Sequence, residues 1–168
     1  MGRRVVTGYR PVDVRAADPD SAAAHAVLTA YFTDIVSRYH GREATVAEVA
    51  AVMSAEPSDD LRPPRGLLLL ARQDGNTLGC AGLRLLPAGT GEVTRVFVRP
   101  EARRQGVGRQ LLAAVEDAAR SHHLSRLRLD TSRHLTEARQ LYESDGYREV
   151  VPFNHGPFTD RWYEKPLD

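Results

Sequence analysis

Val96-Phe97-Val98-Arg99-Pro100-Glu101-Ala102-Arg103-Arg104-Gln105-Gly106-Val107-Gly108-Arg109 reads as a strand, a loop and the first turn of a helix in immediate succession. Pro100 ends the strand, because proline cannot donate to a sheet ladder. Gly106 and Gly108 allow a positive φ and a close approach of backbone to ligand. A helix that starts here presents unpaired N–H groups and the positive end of its dipole. Phosphate oxygens are the natural partner of such an end, and Arg103, Arg104 and Arg109 add charge around it. In isolation a glycine turn with solvated arginines would look the same. Two other phosphate-binding loops are excluded in detail. The Walker loop needs Gly-Lys-Ser/Thr and there is no lysine here; the dinucleotide fingerprint needs a third glycine, and position 111 is Leu.

Working outward, a helix face continues from the loop through Val107, Leu111, Val115 and Ala118 to about His122. Leu124 to Asp130 alternates leucine with polar residues, as a strand with one polar side does. Thr136 to Asp145 is a helix, stopped by Gly146. Tyr147 to Val151 and Arg161 to Lys165 are the last strands. Upstream, Leu67–Arg72, Thr77–Leu86 and Glu92–Arg99 form a meander with a turn at Asp74-Gly75. Earlier still, Tyr9 to Arg15 is a weak strand. Asp18 or Asp20 offers an N-cap to a helix over Ala22–Tyr39, with Gly41 as its stop. Thr45 and Glu48 form a capping box for a second helix through about Met53. Glu56 to Gly66, with the acidic Glu56, Asp59 and Asp60, reads as a solvated loop. The order β-α-α-β-β-β-α-β-α-β-β implies parallel pairing beside an antiparallel meander.

The 168 residues suit one domain spanning 1–168. Lys and Arg number 23 against 22 Asp and Glu, a net charge of +1, which excludes a strongly basic nucleic-acid binder and an acidic disordered tail. All but one of the basic residues are arginine, Lys165 being the exception. The only cysteine, Cys80, cannot form an intrachain disulfide and reads as a small buried hydrophobe. No run of about 18 apolar residues indicates a membrane span, and Arg3 and Arg4 are not followed by the apolar core of a signal peptide. The expected location is the cytoplasm, with neither membrane nor nucleic acid as partner and no metal.

Arg103-Arg104-Gln105-Gly106-Val107-Gly108 resembles the R/Q-x-x-G-x-G/A signature of the GNAT superfamily of N-acetyltransferases. The strand Val96–Pro100 before it and the later Ala138-Arg139-Gln140-Leu141-Tyr142-Glu143-Ser144-Asp145-Gly146-Tyr147 resemble that family too. The likeness is clearest from Leu67 to Val151. It implies a single α/β domain with a mixed, mostly antiparallel, twisted sheet flanked by helices, and acetyl-CoA as co-substrate. The cofactor-binding residues would be Arg103, Arg104, Gln105, Gly106, Val107, Gly108 and Arg109 around the pyrophosphate. Val96 and Val98 would pair with the pantetheine arm where their strand splays from its neighbour.

The implied reaction is transfer of an acetyl group to the amine of a small molecule, by direct attack in a ternary complex. Tyr142 stands where the family commonly keeps a tyrosine that protonates the CoA sulfur; a phenol with a pKa near 10 keeps its proton at neutral pH. Glu92, at the start of the strand leading to the loop, is the implied general base, acting directly or through water. A backbone amide, that of Val96, would stabilise the oxyanion. Many members of the family carry asparagine where this chain has Leu135, a cofactor contact that Thr131 or Ser132 would have to replace. Two other functions share the loop: a protein or peptide amine acetyltransferase, and a CoA-binding module without turnover. The resemblance also makes a homodimer possible.

Of the remaining polar and aromatic residues, His122-His123 suits a helix end, and His155 lies in an ordinary late turn or beside an acceptor pocket. Tyr31 and Tyr39 are expected to pack, and one of Trp162 and Tyr163 to be core.

Overall fold

The computed structural model describes residues 11–168. The first strand, β1, is Asp13–Ala17; the Tyr9 end expected for it lies outside the described residues. Helix α1 follows over Ala22–His40. Its N-cap is Ser21, whose hydroxyl accepts from the Ala24 amide, not Asp18 or Asp20. Asp18 instead accepts the amide of Asp20, in the turn that leads in. Gly41 ends α1 in the left-handed region. Helix α2, Val46–Ala55, carries the full capping box between Thr45 and Glu48.

Next come three antiparallel strands, β2 (Gly66–Gln73), β3 (Asn76–Leu86) and β4 (Thr90–Val98). Asp74 and Gly75 join the first two, both at positive φ (52° and 78°), as a two-residue type I′ turn requires. A 3₁₀ turn over Pro100–Ala102 leads to α3, Val107–Ser121. Then follow β5 (Arg126–Thr131), α4 (Thr136–Ser144), the two-residue β6 (Arg148–Glu149) and β7 (Arg161–Pro166). The strands form one sheet in the order β1-β2-β3-β4-β5-β7-β6. Among the described strands only β4 and β5 run parallel. This is the α/β class with a mixed, mostly antiparallel sheet that the element order implies.

Each face of the sheet buries its own core. On one side Leu111, Leu112 and Val115 of α3 pack against Ala81, Leu83, Leu127 and Leu129. On the other, Val27 and Leu28 of α1 pack against Leu68, Leu70, Cys80 and Phe97. At about 25 cal/mol per Å² of apolar surface removed from water, each fully buried leucine contributes about 2 kcal/mol. Tyr163 is fully buried and Trp162 is not. Tyr39 departs from expectation. It is 54% exposed, in the last turn of α1, with edge contacts to His40 and Phe158.

Two irregularities shape the middle of the sheet. Between Cys80 and Gly82 the partner strand β4 has one residue too many: Cys80 opposes Phe97 while Gly82 opposes Thr94. The extra residue is a bulge at Arg95, whose φ is +55°, and it reverses the alternation of β4. Val93 faces the α3 core, and past the bulge Phe97 faces α1. The second irregularity is that β4 and β5 pair only from Thr90–Glu92 to Arg126–Arg128. Beyond Glu92 they part, and the gap is where the candidate site lies.

Candidate active site

Gly106 is the N-cap of α3, left-handed at φ +79° and without a side chain to cap anything. The first helical backbone bond is made by the Gln110 amide to Gly106 O. The N–H groups of Val107, Gly108 and Arg109 therefore have no partner within the helix. They open on a cleft of about 620 Å³ lined by the whole run Arg103–Arg109 except Gln105, and by Val96 and Val98. Gln105 sits just outside, its amide reaching Glu101 O at 3.4 Å. Arg104 and Arg109 are exposed. Arg103 is held against the strand, its Nε donating to Val98 O at 3.0 Å.

The residues present fit a phosphate-bearing cofactor. Unpaired amides and the positive end of a helix dipole open on the cleft, and Arg103, Arg104 and Arg109 are among the residues that line it. A Cβ at Gly106 would meet open space, so its requirement is conformational. At Gly108 a Cβ would lie 2.8 Å from Leu141 Cδ2, so a larger side chain there would press between α3 and α4. The cleft also holds acids that sequence reasoning missed. Asp34 and Glu137 lie 3.7 and 3.6 Å from the Arg103 guanidinium, and Arg38 from α1 grips Glu137. Helical spacing predicts which residues of α1 face the core, not that its polar side closes over another element.

A smaller cavity, about 80 Å³, adjoins the cleft through Tyr31, Ile35, Val96 and Leu135, which line both. Tyr142 lines the small cavity. It is 5% exposed, and its hydroxyl has no hydrogen-bond partner among the described residues. Burial pushes the phenol well above its ordinary value, and the neighbouring Tyr31, Tyr147 and Asp130 push it further the same way, so it holds its proton at neutral pH. Thr131, Ser132 and Asp130 form the β5 wall, and Glu56 and Arg95 close the opposite side. Glu56, read as part of a solvated loop, is thus a cavity residue. Its neighbour Asp60 is ion-paired to Arg84 at 2.7 Å.

Glu92 lies at the foot of the gap, outside the lining of both cavities. Its two oxygens face Arg84 at 3.2 Å and Arg128 at 3.7 Å, with only 16% of the side chain exposed. Leu135 does line the gap, and caps α4 without a side-chain bond. Cys80 is wholly buried, and burial pushes its thiol up to about 12, which leaves it inert as a nucleophile at neutral pH. His122 and His123 stand at the end of α3, and His155 is exposed in the late loop. Among the described residues no three His, Cys, Asp or Glu are grouped to hold a metal, and no helix is long and apolar enough to cross a membrane.

The model of the Acetyltransferase (GNAT) family matches residues 28–147. The chain belongs to that family. It is an acyltransferase. An IAA acetyltransferase of Azospirillum brasilense is 38% identical over 110 residues, 64% of this chain and 72% of that one. An uncharacterized N-acetyltransferase of Schizosaccharomyces pombe is 32% identical over 111 residues, 65% and 68% of the two chains. In fold, the chain is similar to a GNAT-family acetyltransferase of Staphylococcus aureus, with a TM-score of 0.71 at 17% identity over 94% of this chain and 100% of that one. It is similar also to the PaiA N-acetyltransferase of Thermoplasma acidophilum in complex with coenzyme A, with a TM-score of 0.69 at 19% identity over 94% and 99%. The GNAT resemblance of the loop and of the Tyr142 helix is therefore a family membership.

Proposed function

We propose that this chain transfers the acetyl group of acetyl-CoA to the amine of a small molecule, by direct attack in a ternary complex. The observation that carries the reading is the parting of β4 from β5. One gap holds the free amides of α3 at one end and the Tyr142 hydroxyl at the other. The cleft takes the cofactor, with its pyrophosphate on the amides of residues 107–109 and between Arg103, Arg104 and Arg109. The edge of β4 at Val96 and Val98 takes the pantetheine arm. The small cavity takes the acceptor amine. Tyr142 gives the sulfur its proton as the C–S bond breaks, a role that suits a phenol kept protonated by burial. The amide of Val96, just past the Arg95 bulge and lining both cavities, stabilises the oxyanion. A fold neighbour in complex with coenzyme A and a relative named IAA acetyltransferase support the reading.

Calorimetric titration of acetyl-CoA into the wild-type chain and into Gly108→Trp tests it, followed by CoA release in the presence of amines. Micromolar binding lost in the variant, with amine-dependent CoA release by wild type, is the expected result. Binding without release under any amine would leave a CoA-binding module, and absence of binding would remove acetyl-CoA from the account.

A further inference from the structure

Strand β5 carries a polar row, Arg126, Arg128 and Asp130, opposite the buried Leu127 and Leu129. The first two residues of the row are answered. Arg126 reaches Thr90 at 2.8 Å and Glu164 at 3.7 Å. Arg128 faces Glu92 and stacks 4.3 Å above the Phe153 ring. Asp130 comes after β4 has moved away, so it has no strand neighbour on that side. Its Oδ2 accepts from Asn154 Nδ2 and its Oδ1 from Thr159 Oγ1, both at 2.7 Å. Asn154 is itself fixed by the Trp162 indole N–H at 2.7 Å. Every donor in this chain is neutral, and Asp130 forms no ion pair among the described residues.

A carboxylate half-removed from water and given only neutral donors is incompletely compensated. Each of its oxygens keeps a free lone pair. It is held rigidly on the wall of the small cavity, which it shares with the unpartnered Tyr142 hydroxyl. The other charged groups on that wall are Glu56 and Arg95. Arg95 is turned away from Asp130 by bonds to Ser58, Thr94 and Glu56 O and by the face of Phe32. A cationic group entering the cavity would thus find an unmet charge. The volume is that of two or three waters at about 30 Å³ each, room for an ammonium head and the first carbons of its arm.

We propose that Asp130 binds the ammonium of the acceptor and relays its proton, so that the favoured substrates are primary amines on slender aliphatic arms. The inference rests on the acetyl-CoA reading above. The ammonium gives one proton through Asp130 to water. The freed lone pair attacks the acetyl carbonyl carbon, the C–N bond forms and the C–S bond breaks. The sulfur takes the Tyr142 proton, and the second nitrogen proton restores the phenol. The products are the amide, CoA thiol and one released proton.

The test compares wild type, Asp130→Asn and the double variant Asn154→Ala/Thr159→Val, which loosens the loop tie but keeps the charge. Acetyl-CoA binding is measured by calorimetry. CoA release is measured with tyramine, with spermidine, and with hydroxylamine, which is uncharged at neutral pH. The expected result is that Asp130→Asn keeps its acetyl-CoA affinity within about twofold. It loses about 100-fold or more in kcat/KM for tyramine and spermidine, and far less for hydroxylamine. The double variant stays closer to wild type. Equal losses for charged and uncharged nucleophiles, a double variant as impaired as Asp130→Asn, or an unimpaired Asp130→Asn would each overturn the proposal. So would a wild type that binds acetyl-CoA but acetylates neither amine. A wild type that binds no acetyl-CoA would instead sink the reading beneath it.

Discussion

Arg38 of α1 holds Glu137 in the first turn of α4 by two parallel bonds, Nη2 to Oε1 at 2.6 Å and Nη1 to Oε2 at 2.9 Å. The same guanidinium reaches Asp34 and His134 O, and both acids lie beside Arg103. Two helices far apart in sequence are thereby joined across the larger cleft, which Arg38, Asp34 and Glu137 all line. The hydrogen bond from Arg38 holds the Glu137 carboxyl at about 2, against a smaller opposing effect of burial. A folded-state pKa below the ordinary value of about 4.3 stabilises the fold fully above that value, and the contribution is lost as pH falls towards 2. Thermal unfolding of Glu137→Gln should therefore match wild type near pH 2 and fall below it at pH 6. Glu137 is half exposed, so the difference should be small, and 1 M salt should shrink it further. A gap that persists at pH 2 would dissociate it from this ion pair.

Removing one oxygen separates chemistry from packing at Tyr142. Its ring sits 5.8 Å from Tyr147 and 6.3 Å from Tyr163, and those contacts survive in Tyr142→Phe. The hydroxyl has no partner to lose among the described residues, so the melting temperature should barely move. If it protonates the leaving thiolate, kcat should fall about 100-fold at unchanged acetyl-CoA affinity. Steady-state kinetics beside calorimetry reads both. An unchanged kcat would take Tyr142 out of the mechanism.

The two glycines of the loop serve different ends, and substitution should tell them apart. Gly106 has open space around a would-be Cβ but a φ of +79°. Alanine there costs about 1 kcal/mol of backbone strain, visible in urea unfolding. Gly108 has an ordinary φ, and a Cβ there would press on the tip of Leu141 at 2.8 Å with Val98 Cγ2 in ordinary contact at 3.7 Å. Alanine there should cost less in stability, because the end of a flexible side chain can give way. A stability loss at Gly108→Ala exceeding that at Gly106→Ala would reverse this assignment.

What was legible in the sequence followed from local rules. The capping box at Thr45 and Glu48, the turn at Asp74-Gly75 and the helix stop at Gly41 each depend on residues a few positions apart. The glycine loop that opens α3 was legible for the same reason. The alternation of Glu92–Arg99 gave the strand but not its bulge. No glycine marks Arg95, and only pairing with β3 shows that the face has switched. The walls of the small cavity were not legible as walls. Glu56, Asp130 and Thr159 come from three distant segments, and each looks like a solvated polar residue until the parting of β4 and β5 brings them together. Ser21 took the N-cap from Asp18 and Asp20 because cap geometry allows only the residue immediately before the first turn.

The same distinction governs Glu92. Its sequence position, at the start of the strand that leads to the loop, suggests a base. Its surroundings are those of a sheet-bridging ion pair, with Arg84 on β3 and Arg128 on β5 answering one oxygen each. Arg84 is in turn shared with Asp60, and Arg128 Nε has no hydrogen-bond partner among the described residues. Glu92→Gln would leave two half-buried guanidinium groups with one less negative charge between them, a change that costs about 1–3 kcal/mol when charged hydrogen bonds are lost. The expected outcome is a lower denaturant midpoint with kcat within about threefold of wild type, since the carboxylate does not line the small cavity. A stable Glu92→Gln whose kcat falls about 100-fold would restore Glu92 as the base, acting through water, and would weigh against Asp130 in that role.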